Sequence, residues 1–272
     1  MLIRLIAALV LAPPVLAATY YGGYYFNLMV GLAAFLLSWE WNRLCGRGMG
    51  VLAMLVTTGS ICAVILTSMG SLSQGLLLIA VCSGAILGFT YLIRYATGSA
   101  WQAFGIRPGW LAVGLVYIGV PCAALVWLRA REDGQEIVFW MFALVWAVDI
   151  GAYIVGRLVG GPKLAPSVSP NKTWAGLIGG IFCAALIGAE AAEYLNLPRF
   201  APLIVFSAGM AVIEQGGDLV ESWIKRRFSV KDMGSIIPGH GGLFDRVDGL
   251  LAVACATAIV AAVAEGNLFQ WL

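Results

Sequence analysis

"PGWLAVGLVYIGVPCAALVWL", residues 108–128, is a run of 21 residues without a charged side chain. A helix of about 20 residues, at a rise of about 1.5 Å per residue, crosses roughly 30 Å of hydrocarbon. Of the 272 residues in the chain, 61% are hydrophobic and only 11% are charged, and the mean hydropathy is +0.92. These values far exceed what a soluble core needs, and they predict an integral membrane protein.

Similar apolar runs recur along the chain and give nine candidate membrane-spanning helices. They fall near residues 2–21, 24–42, 50–69, 73–94, 108–128, 137–158, 174–194, 201–225 and 246–264. No polar stretch longer than about 25 residues separates them, which is too short for an additional soluble domain. We therefore expect a single all-α polytopic membrane domain over residues 1–272, with mainly apolar helices in residues 1–136 and the polar motifs in residues 137–272.

The first apolar run allows two interpretations. Pro13 and Pro14 interrupt it, and Arg4 together with "VLAA", residues 15–18, also fits a cleavable signal peptide. We favour a helix, because removing this run would reverse the orientation that the other charges support.

The distribution of Lys and Arg predicts how the chain is oriented. With nine spans and a cytoplasmic N-terminus, cytoplasmic segments carry 13 of the 16 Lys and Arg residues. This agrees with the positive-inside rule. We expect a multi-pass protein of the inner (cytoplasmic) membrane with its C-terminus on the opposite face. The two most polar connections, residues 157–173 and 225–248, then lie on the cytoplasmic face and can form one site.

Acidic residues within apolar helices are candidate functional groups, because an acid at bilayer depth is costly unless it has a partner. The first 128 residues contain one acid, Glu40, so we expect the chemistry in the second half. Asp149 lies about nine residues before the end of its helix, roughly 13 Å along the axis. The alternative for Asp149 is a structural ion pair with an arginine of a neighbouring helix.

The eighth run ends in "VIEQGGDLVESWIKRR", where Glu214, Asp218, Glu221 and Lys225 are spaced by four, three and four residues. At about 100° per residue they share one face of a helix. Pairing of Glu221 with Lys225 would satisfy two of them and leave Asp218 and Glu214 over. A hard cation would satisfy the rest, and we favour Asp218 over the deeper Glu214 as its ligand.

The last run begins with "LFDRVDG", residues 243–249, which places Asp245 and Asp248 three residues apart on one helical face. Two acids at this position could merely cap the helix, where the macrodipole favours negative charge. Their combination with Asp218 and the nearby bases favours a metal site. Oxygen ligands without a histidine cluster suit magnesium rather than zinc. The residue pattern therefore predicts metal ligands at Asp218, Asp245 and Asp248.

Two polar segments have the composition of a polyphosphate site. "GRLVGGPKLAPSVSPNKTWAG", residues 156–176, and "KDMGSIIPGHGG", residues 231–242, combine glycines with Lys, Arg, Ser and Thr donors. We assign His240, the only histidine, to a phosphate contact; a surface position without a role is the alternative. Arg226 and Arg227 are ordinary basic flanks of a membrane helix.

"SWIKRRFSVKDMGSIIPGHGGLFDRVD", residues 222–248, resembles the signature of the CDP-diacylglycerol synthases, also called phosphatidate cytidylyltransferases. "DIGAYIVGRLVGGPKLAPSVSPNKTWAG", residues 149–176, is also similar to that family. The amino-terminal half resembles the family only in its hydrophobicity. The resemblance implies a magnesium-dependent reaction of phosphatidic acid with CTP that gives CDP-diacylglycerol and pyrophosphate. The chain departs from the family at Asn171, Ala175 and Gly249, where secondary contacts are in doubt.

The resemblance also implies roles for individual residues. It implies that Asp218, Lys225, Asp245 and Arg246 are catalytic. It also implies that Asp149 is a fourth metal ligand, which with Asp248 holds a second ion or orients the ligands of the first. It implies a substrate-binding role for Lys163, Ser169, Lys172, Thr173, Ser222, Lys231, His240, Gly241 and Gly242. The expected cofactor is Mg²⁺. Two metal ions are expected in all, and one of them can be a monovalent cation. The expected partners are CTP, phosphatidic acid, the lipid bilayer and a second copy of the chain, with no nucleic acid.

Two other functions are weighed against this one. A cation-coupled transporter would also place acids at membrane depth, but here the charge is confined to one half and one face. A CDP-alcohol phosphotransferase also acts on CDP-lipids, and "DGLLA", residues 248–252, is a near match to its motif. The arginine and the downstream aspartates of that motif are missing.

Overall fold

The structure is a computed structural model that describes residues 2–45, 51–97, 108–236, 241–264 and 267–272. It is 82% helical, which confirms the all-α class. The helices are α1 Leu2–Tyr21, α2 Gly23–Cys45, α3 Val51–Ser68, α4 Leu72–Thr97, α5 Pro108–Arg129, α6 Gly134–Val159, α7 Trp174–Tyr194, α8 Ala201–Arg227, α9 Phe244–Val263 and α10 Leu268–Trp271.

The apolar runs of the sequence correspond to helices α1 to α9. Within the described residues, the six helices α4 to α9 are long and apolar enough to cross a membrane. Two shorter apolar helical stretches, Val10–Tyr21 and Leu52–Ser68, lie in α1 and α3. The chain is thus a multi-pass membrane protein, and the count of nine spans stays a prediction.

The chain divides into two compact units. The first contains Met1–Ala130 and Asp232–Asp245, and the second contains Arg131–Lys231 and Arg246–Leu272. The segment Asp232–Asp245 therefore packs with helices that precede it by more than a hundred residues. One domain with a division after residue 136 stays a prediction.

In the first unit, the indole of Trp41 on α2 is fully buried. Its Nε1 donates a 2.7 Å hydrogen bond to the backbone oxygen of Trp110, and its ring lies 5.7 Å from the rings of Tyr117 and Phe244. The indole fills the space beside Gly114, where a Cβ atom would overlap it. An aromatic cluster therefore joins α2, α5 and the start of α9.

In the second unit, helices α6 and α7 approach closely through glycines. A Cβ atom added at Gly151, Gly176 or Gly179 would lie 2.9 Å from a backbone oxygen of the facing helix. Small residues allow such approach between membrane helices, where packing replaces the hydrophobic driving force. The same device recurs where α8 meets α9, because a Cβ atom at Gly217 would lie 2.8 Å from Cβ of Ala252.

A short hairpin connects α6 to α7, where the sequence analysis predicts only a polar loop. Strands β1 Lys163–Ala165 and β2 Ser169–Thr173 pair antiparallel, with Lys163 opposite Thr173 and Ala165 opposite Ser169. Gly160 and Gly161 leave α6 with φ angles of +67° and +91°, which glycine adopts without strain. The last residue of β2, Thr173, immediately precedes the first residue of α7.

Candidate active site

The candidate site in the second unit centres on three acids. Asp218 and Glu221 lie on α8 and Asp248 lies on α9, and one carboxylate oxygen from each is within 4.8 Å of the others. The helices hold them together because Gly217 brings the backbone of α9 close, with a hypothetical Cβ only 3.0 Å from the carbonyl oxygen of Asp248. Three converging carboxylates match the oxygen ligands that magnesium prefers.

Lys172 provides the positive charge nearest to Asp218. Its Nζ lies 2.6 Å from Oδ2 of Asp218, and the two side chains are 16% and 29% exposed. Oδ1 of Asp218 accepts a 3.3 Å hydrogen bond from Oγ of Ser222, one turn further along α8. Both oxygens of Asp218 thus have protein partners, while the group remains accessible to a ligand.

A buried amide fixes the position of Lys172. Oε1 of Gln215 accepts a 2.9 Å hydrogen bond from Nζ of Lys172, and Nε2 of Gln215 donates a 2.9 Å hydrogen bond to Oε2 of Glu214. Gln215 was not among the site residues predicted from the sequence. Gln215 lies three residues before Asp218 and seven before Ser222, so all three are on one side of α8. This spacing could have indicated from the sequence that Gln215 belongs to the site.

Glu221 pairs with Lys225 at 2.5 Å, which confirms the pairing that their i, i+4 spacing suggests. The side chain of Glu221 is only 1% exposed and that of Lys225 is 15% exposed. Glu221 was predicted only as a member of this pair and not as a metal ligand. In the structure the same carboxylate also belongs to the three-acid cluster with Asp218 and Asp248.

Asp149 reaches this cluster from α6. Its electrostatic neighbours are the acids Asp218 and Glu214 and the bases Lys172 and Arg246. The structure thus brings three of the four predicted metal ligands, Asp149, Asp218 and Asp248, into one part of the second unit. The role of Asp149 as a metal ligand stays a prediction.

The fourth predicted ligand, Asp245, belongs to the first unit. Its Oδ2 accepts hydrogen bonds from the backbone nitrogens of Met233 and Gly242, at 3.0 Å and 2.8 Å. The first nitrogens of α9 instead donate to Glu40 of α2, from Leu243 at 2.9 Å and from Phe244 at 3.0 Å. Glu40 stood out in the sequence only as an isolated acid, and no role was predicted for it. A joint role of Asp245 with Asp218 stays a prediction.

The other predicted substrate-binding residues have varied surroundings. Thr173 is buried, and its Oγ1 accepts a 3.1 Å hydrogen bond from the nitrogen of Gly176, so that it caps α7. Lys163 and Lys231 are exposed, and Ser169 is half-buried. Gly241 has a φ of +86° and Gly242 is buried. His240 lies outside the described residues. Contacts of all these residues with a substrate stay predictions.

Comparison with known proteins places the chain in a family. The model of the cytidylyltransferase family matches residues 2–264 of the chain. The chain belongs to the cytidylyltransferase family. This confirms the resemblance drawn from residues 149–248 and extends it through the amino-terminal half, where hydrophobicity alone had suggested it.

Individual relatives are consistent with this membership. A phosphatidate cytidylyltransferase of Brucella suis is 38% identical over 264 residues, which cover 96% of this chain and 93% of that protein. A phosphatidate cytidylyltransferase of Rickettsia bellii is 40% identical over 152 residues, which cover 53% of this chain and 66% of that protein. Membership in a cytidylyltransferase family favours the nucleotidyltransferase over the transporter and the CDP-alcohol phosphotransferase.

The arrangement is suited to a transfer between phosphates. Acids that converge within 4.8 Å can hold a cation. The bases Lys172, Lys225 and Arg246 can donate charge-assisted hydrogen bonds to phosphate oxygens. In the described part of the site the ionisable side chains are carboxylates and bases. Such a set stabilises negative charge and positions phosphates, which is most of what phosphoryl transfer chemistry asks of a protein.

Proposed function

We propose that this chain transfers the cytidylyl group of CTP to phosphatidic acid, giving CDP-diacylglycerol and pyrophosphate in phospholipid biosynthesis. The observation that carries the proposal is the convergence of Asp218, Glu221 and Asp248 beside Lys172 in a chain of the cytidylyltransferase family. The names of relatives that match 96% of the chain support the choice of substrates.

The residues present fit magnesium. Asp218, Glu221 and Asp248 offer oxygen ligands that already lie within 4.8 Å of one another, and Asp218 is partly open. We propose Asp149 and Asp245 as further ligands. The site would hold two metal ions, one of which can be a monovalent cation. When bound, magnesium would neutralise triphosphate charge and polarise the phosphorus that is attacked.

The bases of the chain would bind and orient the phosphates. Lys172 and Lys225 each pair with an acid of the cluster, so each can exchange that partner for a phosphate oxygen without crossing the site. Arg246 would do the same from α9, and Ser169 and Thr173 would donate hydrogen bonds. The phosphate of phosphatidic acid is already an anion, so the attack needs no general base.

The proposal includes an arrangement in the membrane. The chain would have nine spans in the inner (cytoplasmic) membrane, with the N-terminus and the active-site segments cytoplasmic and the C-terminus on the opposite face. The support is the excess of Lys and Arg on one side, 13 of 16 residues under this arrangement. We also propose a homodimer, as the family resemblance implies.

The test is to incubate the detergent-purified protein with phosphatidic acid, magnesium and CTP labelled in the α-phosphate. We expect label in a CDP-lipid and one pyrophosphate released for each lipid formed. A CDP-alcohol phosphotransferase would instead consume CDP-lipid and release CMP. A protein that binds CTP but forms no CDP-lipid would refute the proposed function.

A further inference from the structure

Glu40 is a buried acid of the apolar half that the proposed mechanism does not use. It lies on α2 and is 1% exposed. Its Oε1 accepts a 2.9 Å hydrogen bond from the nitrogen of Leu243, and its Oε2 accepts a 3.0 Å hydrogen bond from the nitrogen of Phe244. Both oxygens are therefore bound to the backbone of one segment, about two hundred residues later in the chain.

These two nitrogens stand at the start of α9, where the first N–H groups of a helix have no partner within the helix. A carboxylate at this position gains from the helix dipole and from charge-assisted hydrogen bonds. Such bonds offset part of the cost of burying the acid. The charge of Glu40 thus satisfies donors that would otherwise be orphaned in an apolar environment.

Gly234 and Gly242 lie close against this carboxylate. A Cβ atom at Gly242 would lie 2.7 Å from both carboxylate oxygens of Glu40. A Cβ atom at Gly234 would overlap the same carboxylate. Glycine is needed at both positions for the backbone to approach Glu40 so closely.

A second carboxylate ties the same segment together. Oδ2 of Asp245 accepts from the nitrogens of Met233 and Gly242, so the two acids hold four backbone nitrogens between residues 233 and 244. The nitrogen of Gly242 donates to Asp245 and that of the next residue, Leu243, donates to Glu40, so the two acids hold adjacent residues of the chain.

We infer that Glu40 is a positioning residue for the reaction, which holds the described residues 232–236 and 241–245 in the conformation that presents Asp245. This inference rests on the proposed function. Glu40 is not assigned to the metal or the substrate, because its two oxygens are taken by Leu243 and Phe244. Its effect on turnover passes through the backbone of the segment.

The test compares Glu40→Gln and Glu40→Asp with Glu193→Gln, which makes the same change at an exposed position of α7. Gln turns an amide NH₂ group toward one of the two backbone N–H donors, and Asp shortens the reach. We expect amide exchange in peptides covering residues 241–245 to quicken about tenfold in Glu40→Gln, as for the loss of one charged hydrogen bond, while peptides of α7 are unchanged.

We also expect kcat to fall about tenfold with KM for CTP nearly constant, since the segment is misplaced while the nucleotide contacts remain. Glu40→Asp should retain more activity than Glu40→Gln, and Glu193→Gln should match the wild type. Unchanged exchange at residues 241–245 would overturn the inference. Faster exchange throughout the protein would also overturn it, because Glu40 would then support packing in general. A wild type that makes no CDP-lipid would instead refute the proposed function, and the exchange comparison would still decide on the anchoring by Glu40.

Discussion

The Nζ of Lys172, at the end of strand β2, lies 2.6 Å from Oδ2 of Asp218 on helix α8. This ion pair joins the hairpin to the acidic cluster, which neither element's own sequence pattern indicates. A cation that binds Asp218 through this oxygen must share the oxygen with Lys172 or displace Lys172 from it. A carboxylate oxygen has two lone pairs and can accept both partners.

Asp218→Asn should abolish turnover and leave the protein folded. Asn keeps the shape of the side chain and can still accept from Ser222, but it is a poor magnesium ligand and cannot pair with Lys172 as an anion. Losing one metal ligand should raise the activation free energy by several kcal/mol. Each increase of roughly 1.36 kcal/mol lowers the rate tenfold. Formation of CDP-lipid is measured beside a thermal melt. Retention of more than about a tenth of the rate would contradict the role of Asp218 as a metal ligand.

Lys172→Met should slow turnover while lowering the magnesium concentration needed for half-maximal rate. Without the ammonium group, Asp218 and its neighbour Asp149 carry uncompensated negative charge and attract a cation more strongly. The phosphate contact that Lys172 provides is lost as well, for which we expect a fall of about a hundredfold. Magnesium titrations of the rate measure both effects. Arg199→Met, at an exposed position, is the control. A higher magnesium requirement in Lys172→Met would argue against competition for Asp218.

Gln215→Met should reduce turnover by about tenfold, because the free energy of one hydrogen bond of ordinary strength corresponds to about that factor in rate. Met has a similar length but cannot accept from Lys172 or donate to Glu214. The lysine would then be free to turn away from Asp218. Gln74→Met, which changes an exposed glutamine of α4, serves as the matched control. Equal rates for the two variants would show that Gln215 does not position Lys172.

Helices and nearby pairs could be predicted from the sequence for identifiable reasons. Apolar runs of about 20 residues are a strong signal, because a spanning segment must satisfy its own backbone hydrogen bonds. The pair Glu221 and Lys225 follows from i, i+4 geometry on one helix. The stripe that contains Asp218 follows from the same periodicity, and the structure shows that Asp248 joins it.

Contacts between distant elements could not be predicted in this way. The hairpin has strands of three and five residues, with Pro170 inside β2, and lacks the alternation that marks a strand. The pairing of Lys172 with Asp218 depends on that hairpin. Glu40 lies in a run that reads simply as apolar, and its partners are backbone nitrogens, which leave no trace in side-chain identity.

Gly217→Ala should destabilise the second unit and slow turnover. The new methyl group would lie 2.8 Å from Cβ of Ala252 and 3.0 Å from the carbonyl oxygen of Asp248, so α8 and α9 would have to separate. Overpacking of this kind costs about 1–3 kcal/mol. Gly209→Ala is a matched control on the same helix, because a Cβ atom there meets nothing within 4 Å. We expect a lower melting temperature and slower turnover only for Gly217→Ala; equal behaviour of the two variants would refute the tight contact.

Asp133 should make stability depend on pH. It precedes α6, is 7% exposed, and its Oδ2 accepts a 3.0 Å hydrogen bond from the nitrogen of Leu268, while Oδ1 has no hydrogen-bond partner among the described residues. Burial raises the pKa of Asp133 above its ordinary 3.8, against the opposing effect of backbone hydrogen bonds and of Arg131. Between 3.8 and the raised value, the folded protein holds a proton that the unfolded chain has released, so this group's contribution to stability falls as pH rises.

Asp133→Asn removes that dependence, because an amide does not titrate but can still accept from Leu268. The melting temperature of the variant minus that of the wild type should therefore become more positive as pH rises from 3.8 through the raised pKa, and level off above it. Thermal unfolding of both proteins in the same detergent, at a series of pH values, measures this difference. Subtracting the wild-type curve cancels the titration of every other group that the two proteins share. A difference that stays constant, or that becomes more negative with rising pH, would show that burial does not raise the pKa of Asp133.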